Sequence, residues 1–422
     1  MRTALFLIAL VACEQAKPAL VAPPVSQREL LATADPKGET PVDSELRQRI
    51  AAAKTNPRKA DLWILVGRSW VQKARNAGDP GFYLNADAAA ETAIELEPKS
   101  AMALGLRGMV LLNSHRFAEA KALAEGIIAI EPTDATAHGI LSDAELELGN
   151  IPAAIAAAEK MVEKKPDLPS YSRVSYLRWL KGDSAGAIEA MRLAFDAGRG
   201  QADKEPAAWA LSECAHYFWF LGDLEGASAG YDLTLQYAPG YVPAMVGRAR
   251  VAMARGKPDA AIVLLEQALK EHPLTETAWL LGDAKLMAGD AAGAEKAWAE
   301  TIRLGKQIDP RTLSLFYSAQ NRDNEEALRL AKSELDKRPG PQSKDAYAFA
   351  LLRAGRAAEA KEVMAPVTAM NIPEPSYKFH AALIAIANGD AAGGKKMLEE
   401  ILAKTPHFDR AGAEEAKKVV KG

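Results

Sequence analysis

Prolines recur in this chain at an interval of 34 residues, and this interval restricts the possible folds more than any other feature of the sequence. Pro98, Pro132 and Pro166 form one series, and Pro239 and Pro273 repeat the same interval further along. Between the prolines, apolar residues recur at helical spacing, and a polar turn containing Gly or Asn divides each interval in two. The pattern therefore predicts a row of repeated helix pairs rather than a domain with a single core.

Small residues stand at fixed places within these intervals. Ala120 and Ala154 each lie 22 residues after a proline of the series. Gly222 and Ala227 repeat the spacing of Gly149 and Ala154. Small side chains allow two helices to approach closely, while large apolar ones fill the grooves between them. We therefore expect each pair to bury its remaining apolar face only against neighbouring pairs.

A signature stretch near the start of the repeats, WILVGRSW, connects this pattern to a known family. It places Trp63, Val66, Gly67 and Trp70 at the spacing W-x2-L-G-x2-Y. Together with the 34-residue interval, it resembles the tetratricopeptide repeat family from about residue 60 to residue 407. The resemblance implies an all-α fold, an α-solenoid in which helix-turn-helix repeats wind into a right-handed superhelix. Sel1-like and HAT arrays are other helical-hairpin solenoids, but they differ in repeat length or in the placement of aromatic residues.

The repeats divide the chain into segments. Residues 60–407 hold about ten repeats, of which the first, fourth and eighth are degraded. Residues 43–59 and 408–422 are predicted to form helices that cap the two ends of the array. Residues 13–42 are rich in proline and have neither a helical nor a strand period, which predicts an extended tether.

The first residues of the chain carry a targeting pattern. An apolar run over residues 4–12 follows Arg2 and ends at Cys13, and it is far shorter than the roughly 20 apolar residues that a membrane-spanning helix needs. A basic residue, a short apolar segment and then small residues are typical of a secretory signal. The last four residues, LVAC, resemble the bacterial lipobox, in which cleavage precedes a lipid-modified cysteine. This resemblance implies a signal peptide over residues 1–12 and lipid attachment at Cys13; the alternative is an ordinary signal with an unmodified cysteine.

Charge and motif content argue against several classes of function. The formal net charge is −3, with acidic and basic residues mixed throughout, so no basic stripe indicates a nucleic-acid partner. The six histidines are scattered singly, and the sequence contains none of the common metal-ligand, nucleophile or phosphate-loop motifs. The repeats, caps and tether also leave no segment for a catalytic domain. We therefore expect no enzymatic activity, no cofactor and no metal site.

One stretch, HYFWF at residues 216–220, places large side chains on every side of its predicted helix. Counted from the repeat signature, Phe218 faces the second helix of its pair, whereas Trp219 lies on the concave surface. The same count predicts a partner-binding groove that is formed by residues of four neighbouring repeats: Tyr176, Trp179, Trp209, His216, Trp219, Phe220, Arg250, Met253, Trp279, Asp283 and Met287. An apolar patch flanked by charges suits an extended peptide or a partner helix. In the alternative interpretation, tight superhelical curvature buries these rings against neighbouring repeats.

These features predict a scaffold that binds a protein or peptide and is held at a membrane by its N-terminal lipid. The lipobox resemblance implies the bacterial cell envelope, with the outer membrane favoured and the folded part in the periplasm. The repeat resemblance implies a role in assembling secretion, pilus, motility or outer-membrane machinery. An accessory role in polysaccharide export or peptidoglycan remodelling is the alternative. One repeat fold serves many ligands, so the partner itself is not predicted.

Overall fold

A computed structural model describes residues 26–422, which form twenty-three α-helices and no β-strand. Two helices precede the array, α1 (Gln27–Ala32) and α2 (Pro41–Thr55). The signal peptide predicted over residues 1–12 and the lipid site predicted at Cys13 lie outside the described residues. Within residues 26–422, no helix combines the length and the apolar character needed to cross a bilayer.

Ten helix pairs follow, each made of a first helix, a short turn and a second helix. Pairs one to five consist of α3 (Ala60–Ala77) and α4 (Phe82–Leu96), α5 (Ala101–Asn113) and α6 (Phe117–Ile130), α7 (Ala135–Glu147) and α8 (Ile151–Lys164), α9 (Leu168–Leu180) and α10 (Ser184–Gly198), and α11 (Glu205–Phe220) and α12 (Leu224–Tyr237). Pairs six to ten consist of α13 (Val242–Ala254) and α14 (Pro258–Glu271), α15 (Thr275–Met287) and α16 (Ala291–Ile308), α17 (Pro310–Ala319) and α18 (Asn324–Lys337), α19 (Pro341–Arg353) and α20 (Ala357–Ala369), and α21 (Pro375–Ala387) and α22 (Ala391–Lys404). Helix α23 (Arg410–Lys421) follows the last pair. This all-α solenoid confirms the predicted fold class.

The turns within the pairs explain where helices stop and start. In pair five, Gly222 adopts a left-handed conformation with φ +82°, which ends the first helix. The side chain of Asp223 then accepts a hydrogen bond from the backbone N–H of Gly226 at 2.8 Å and caps the second helix. The same Asp-to-Gly cap begins α10, α16 and α22. A short Gly-Asp-x-x-Gly sequence thus determines the reversal of direction in four of the pairs.

Interlocking of small and large side chains holds the helices together. A Cβ atom on Gly282 would overlap the Trp298 ring of the same pair. One on Gly247 would overlap the Tyr231 ring of the preceding pair. Such close approach requires glycine at these positions and produces the dense packing typical of protein interiors.

The superhelix is wound so tightly that its successive turns touch. The turn of pair one meets the loop after pair six, where His272 Nε2 lies 3.2 Å from the carbonyl oxygen of Asn76. The turns of pairs three, four and five meet the loops after pairs eight, nine and ten in the same way. We call these four contacts the inter-turn seam. Each joins a pair to the one five positions later, so between five and six pairs complete one superhelical turn.

An ion pair and a shared apolar core strengthen the inter-turn seam. Arg338, in the loop after pair eight, donates two hydrogen bonds to the Glu147 carboxylate of pair three, at 2.8 and 2.9 Å. One hydrophobic cluster includes Trp179 and Leu180 of pair four together with Leu351 of pair nine and Ile372 of the loop that follows it. The two superhelical turns therefore stack on a common core rather than forming an open spiral.

The N-terminal segment differs from the predicted tether. Within residues 13–42, the part from Gln27 to Ala32 forms helix α1, which packs against the first pair. Trp70 Nε1 donates to the carbonyl oxygen of Ala32 at 3.0 Å, and Asn85 Nδ2 donates to that of Leu31 at 2.8 Å. Proline residues flank α1 in the sequence without interrupting it, so this stretch can satisfy its backbone as a helix. The tether prediction is therefore wrong for this part of the segment.

Helix α2 begins at Pro41, before the predicted boundary at residue 43, and a buried ion pair fixes its position. Thr40 caps it, and Asp43 accepts a hydrogen bond from the Thr40 backbone N–H at 2.9 Å. The other oxygen of Asp43 accepts from Lys73 Nζ at 2.5 Å. Burial alone would raise the pKa of Asp43, but the hydrogen bonds from Lys73 and Thr40 outweigh it and hold this pKa below its usual value.

Candidate functional site

The first helices of pairs five to ten, together with α23, surround a cavity of about 660 Å³. We call it the inner cavity. Second helices contribute no lining residue, because they form the outer layer of the superhelix. Pairs five to ten span about one superhelical turn, so their first helices and α23 surround the space, and α23 lies across it from α15.

Eight of the eleven residues predicted to form the groove line the inner cavity: His216, Trp219, Phe220, Arg250, Met253, Trp279, Asp283 and Met287. They come from α11, α13 and α15, which are consecutive first helices. Their side of the cavity is rich in aromatic rings, and the His216 ring stacks on Phe220 with 4.3 Å between ring centroids.

The other three predicted groove residues lie in the core that the two superhelical turns share. Trp179 is buried and stacks on Tyr217 at 4.3 Å between ring centroids. Tyr176 and Trp209 are half-buried against the same cluster, and the Tyr176 hydroxyl accepts a hydrogen bond from Gln342 of pair nine. Because pairs nine and ten stack on pairs four and five, the second turn covers this part of the concave surface. The groove prediction is wrong for these three residues.

Phe218 lies against the second helix and Trp219 lines the inner cavity, but their relative burial is not that of a core ring beside an exposed groove ring. Trp219 keeps only 7% of its surface exposed, whereas Phe218 is half-buried. Both rings belong to one cluster with Tyr231 and Ala215. Trp219 therefore contributes to the core while its edge lines the inner cavity, because adjacent first helices crowd together at this tight curvature.

The α11 side of the inner cavity contains one ion pair and a neutral histidine. Arg250 pairs with Glu276, and its positive charge lowers the pKa of Glu276. The Glu276 side chain keeps 57% of its surface accessible, so water reaches this pair. Burial lowers the pKa of His216 to about 3, which keeps its ring uncharged at neutral pH.

The opposite side contains charged groups that are less fully paired. His380 Nδ1 lies 2.9 Å from a carboxylate oxygen of Asp345, close enough to donate a hydrogen bond to it. Burial and then the charge of Asp345 raise the pKa of Glu374 to about 8, so Glu374 is mostly protonated at neutral pH. The side chain of the half-buried Arg311 forms no hydrogen bond or salt bridge with another residue in the range 26–422, although its charge acts to lower the pKa values of Glu276 and Glu374. Four arginines line the inner cavity, and of these only Arg311 forms no salt bridge among the described residues.

Helix α23 covers the cavity through two further ion pairs. Arg410 Nε donates to Asp283 Oδ1 at 3.1 Å, across 127 residues of sequence. Arg353 donates to both carboxylate oxygens of Glu415, at 2.9 and 2.5 Å. Burial raises the pKa of Asp283 to about 7, against the opposing effect of Arg410. The predicted C-terminal capping segment therefore forms part of the candidate site.

The sequence analysis missed the lining residues of pairs eight to ten. Counting a fixed number of residues back from each turn glycine would have found some of them. The positions 13, 10, 6 and 2 residues before the turn glycine Gly289 are Glu276, Trp279, Asp283 and Met287. The same positions before Gly355 are Gln342, Asp345, Phe349 and Arg353, and all four line the cavity. Counting back from each turn glycine is therefore the signal that extends the site to pair nine.

The chemistry of the inner cavity is that of a binding site. Aromatic rings supply contact area, and paired and unpaired charges can orient a ligand. Among residues 26–422, no three or more His, Cys, Asp or Glu side chains are grouped so that they could hold a metal ion.

Comparison with protein families identifies repeats in two parts of the chain. Residues 111–177 match one tetratricopeptide repeat model, and residues 246–310 match another. These ranges lie in pairs two to four and six to eight of the solenoid. No curated protein matches the chain at a significant level.

Several solved structures are similar to the chain. A tetratricopeptide repeat protein from Parabacteroides merdae is 16% identical, with a TM-score of 0.33 over 63% of this chain and 99% of its own. The human IFIT1 dimer with m7Gppp-AAAA is 12% identical, with a TM-score of 0.47 over 89% of this chain and 93% of its own. Yeast Tom70 is 14% identical, with a TM-score of 0.37 over 89% and 93%. The two matched segments show that this chain contains tetratricopeptide repeats, and such repeats typically form non-catalytic scaffolds for protein interaction.

Proposed function

We propose that this protein is a lipid-anchored scaffold of the bacterial cell envelope, and that it binds a short segment of a partner protein in the inner cavity. The partner would belong to an assembly machine of the envelope, such as a secretion, pilus, motility or outer-membrane system. The lipobox resemblance at Cys13 supports the anchor, and the repeat fold supports the binding role.

The unpaired guanidinium of Arg311 is the observation that carries the binding role. This guanidinium is available for a salt bridge, and an acidic group of a bound ligand would supply the partner. Aromatic rings of α11, α15 and α21 line the same space and would supply apolar contact area. A cavity of about 660 Å³ has the size of a typical ligand site, so it accommodates a short peptide segment rather than a folded domain.

Photo-crosslinking in intact cells tests this binding role. A photo-crosslinking residue at position Leu315, which lines the inner cavity, should capture one envelope protein. The same residue at position Val263, which is 66% exposed on the second helix α14, is the matched control and should not capture it. Equal capture at both positions, or capture at Val263 alone, would contradict binding in the cavity. Recovery of glycan strands or of a glycan synthase at Leu315 would favour the alternative role in polysaccharide export or peptidoglycan remodelling.

Fractionation tests the anchor separately. Cys13→Ala should prevent lipid attachment and move the protein out of the detergent-extracted membrane fraction, or leave an uncleaved precursor. Cys214→Ala is the control, because Cys214 is half-buried in the fifth pair and burial raises its pKa to about 11. Unchanged fractionation of Cys13→Ala, together with an unmodified mass at Cys13, would exclude the lipid.

A further inference from the structure

Helix α23 contacts first helices of two earlier pairs around the inner cavity. Through Arg410 it reaches α15 of pair seven, and through Glu415 it reaches α19 of pair nine. On its other side, Ala416, Val419 and Val420 pack against α21 and α22. The helix therefore has one face on the last pair and one face on the concave surface.

Polar contacts account for much of the attachment of α23 to the concave surface. Gly412 and Ala413 are the residues that it buries beside the cavity, and both are small. The other first helices contribute large rings there, such as Phe349 of α19 and Phe379 of α21. Apolar stabilisation scales with the area removed from water, so α23 gains less from its apolar contacts than its neighbours do.

Two further features favour departure of α23. Among the described residues it follows the last helix pair, so no later pair packs on it. It is also a helix of 12 residues, which is short for independent stability. Local opening at such a terminus requires much less free energy than unfolding of the interior pairs.

Departure of α23 would uncover an arrangement of charges that is specific in order and spacing. Asp283 is 2% exposed and would lose Arg410, and Arg353 would lose Glu415. Glu415 lies five positions after Arg410, or roughly 7.5 Å along a helix. A helix with a basic residue in its first turn, small residues at the next three positions and an acidic residue five positions after the basic one would restore both ion pairs.

From these contacts we infer that the concave surface of pairs seven to nine is a docking site for an amphipathic helix of a partner protein, and that α23 is an internal occupant with the same charge order, which the partner displaces. This inference rests on the proposed scaffold function and specifies the class of partner. Charge complementarity to Asp283 and Arg353 determines the orientation in which the partner helix binds.

A binding experiment with the full chain tests the site. The probe is a fluorescent synthetic peptide with the sequence of residues 408–422, at about pH 8, where Asp283 is ionised. In the variant Arg410→Glu, α23 can no longer form its ion pair with Asp283. The peptide should therefore bind this variant at least about tenfold more tightly than the wild-type chain. In the wild type, α23 competes with the peptide at high effective concentration. Glu415→Arg, which disrupts the other ion pair, should give a gain in the same direction.

Matched controls test whether the charges are responsible. Lys418→Glu reverses a charge on the same helix at an exposed position outside the cavity, and it should bind the peptide no better than the wild type. Asp283→Lys should abolish binding of the native peptide, and a peptide carrying Arg410→Glu should restore it. Amide hydrogen exchange should show lost protection in α23 of Arg410→Glu while α21 and α22 stay protected.

The inference is overturned if Arg410→Glu and Lys418→Glu bind the peptide equally, or if Arg410→Glu loses protection throughout pairs nine and ten. A wild-type dimer with exchanged α23 would also overturn it, because a second copy would then be the occupant. Peptide binding without any crosslinked envelope protein at Leu315 would instead count against the proposed cellular function and leave the docking site intact.

Discussion

Substitution of Gly222 by alanine measures the contact between superhelical turns. Gly222 has φ +82°, and a Cβ atom there would overlap the backbone carbonyl oxygen of Lys404 in pair ten. Gly389 occupies the same turn position in pair ten, with φ +93°, but a Cβ atom there would meet nothing within 4 Å. Both alanine variants carry the strain of a left-handed residue, so they differ only in the contact with the other superhelical turn.

The expected free energies follow from that difference. A left-handed alanine costs about 1–2 kcal/mol, which is the whole effect expected for Gly389→Ala. Forcing a methyl group against a packed neighbour adds about 1–3 kcal/mol, so Gly222→Ala should lower the free energy of unfolding by about 2–5 kcal/mol. Gly149→Ala and Gly182→Ala should lie between these values, since their Cβ atoms would lie 3.0 Å from the carbonyl oxygens of Pro339 and Asn371.

Urea unfolding followed by far-UV circular dichroism gives these free energies. A repeat array can unfold in segments, so amide exchange near Thr405 should be measured as well, where Gly222→Ala should increase exchange and Gly389→Ala should not. Gly256→Ala is a second control, with φ +69° and no neighbour within 4 Å. Equal losses of stability for Gly222→Ala and Gly389→Ala would refute the stacking of the two turns.

Three further outcomes are expected from single substitutions. Lys73→Met should lower the free energy of unfolding by about 3–5 kcal/mol, because it leaves the Asp43 carboxylate, which is 1% exposed, without its cation. Since the pKa of Asp43 is lowered from 3.8, this loss of stability should persist at neutral pH and become smaller as the pH falls below 3.8. An equal loss of stability in acid would contradict this prediction. His216→Gln should make the free energy of unfolding less dependent on pH. A histidine whose pKa in the folded state is near 3 destabilises the fold progressively as the pH falls from about 6.5 toward 3, because the unfolded state binds the proton first. Parallel curves of unfolding free energy against pH for variant and wild type would count against this. Trp219→Ala should lower the free energy of unfolding, measured by urea unfolding, by about 3–5 kcal/mol, because the Trp219 ring is part of the core. An unchanged free energy of unfolding would instead indicate that Trp219 lies in an exposed groove.

The comparison between sequence and structure separates local from long-range determinants. The positions of the helices depend on neighbours in sequence: turn glycines such as Gly222 end the first helices, and Asp caps such as Asp223 begin the second helices. These signals repeat with the 34-residue interval, so the sequence indicated the helix pairs and the fold class. The same regularity placed His216, Arg250 and Asp283 on one surface, and all three line the inner cavity.

Local sequence patterns do not determine the number of pairs in one superhelical turn. It depends on the rotation between successive pairs, and small differences in that rotation accumulate along the array. Here the turn closes after between five and six pairs, so pairs four and five acquire neighbours five positions later in the chain. This long-range contact buries Tyr176, Trp179 and Trp209, which a wider superhelix would leave on the concave surface.

The same tight curvature brings Arg410 to Asp283 across the concave surface, 127 residues earlier, and makes the C-terminal helix a wall of the cavity. The sequence by itself thus determined which residues form helices and which helix faces point inward, because those properties arise from contacts within a pair and between adjacent pairs. Only the tertiary structure decided which inward-facing residues remain accessible. The reason is that accessibility depends on the curvature of the whole array, to which every pair contributes a small rotation.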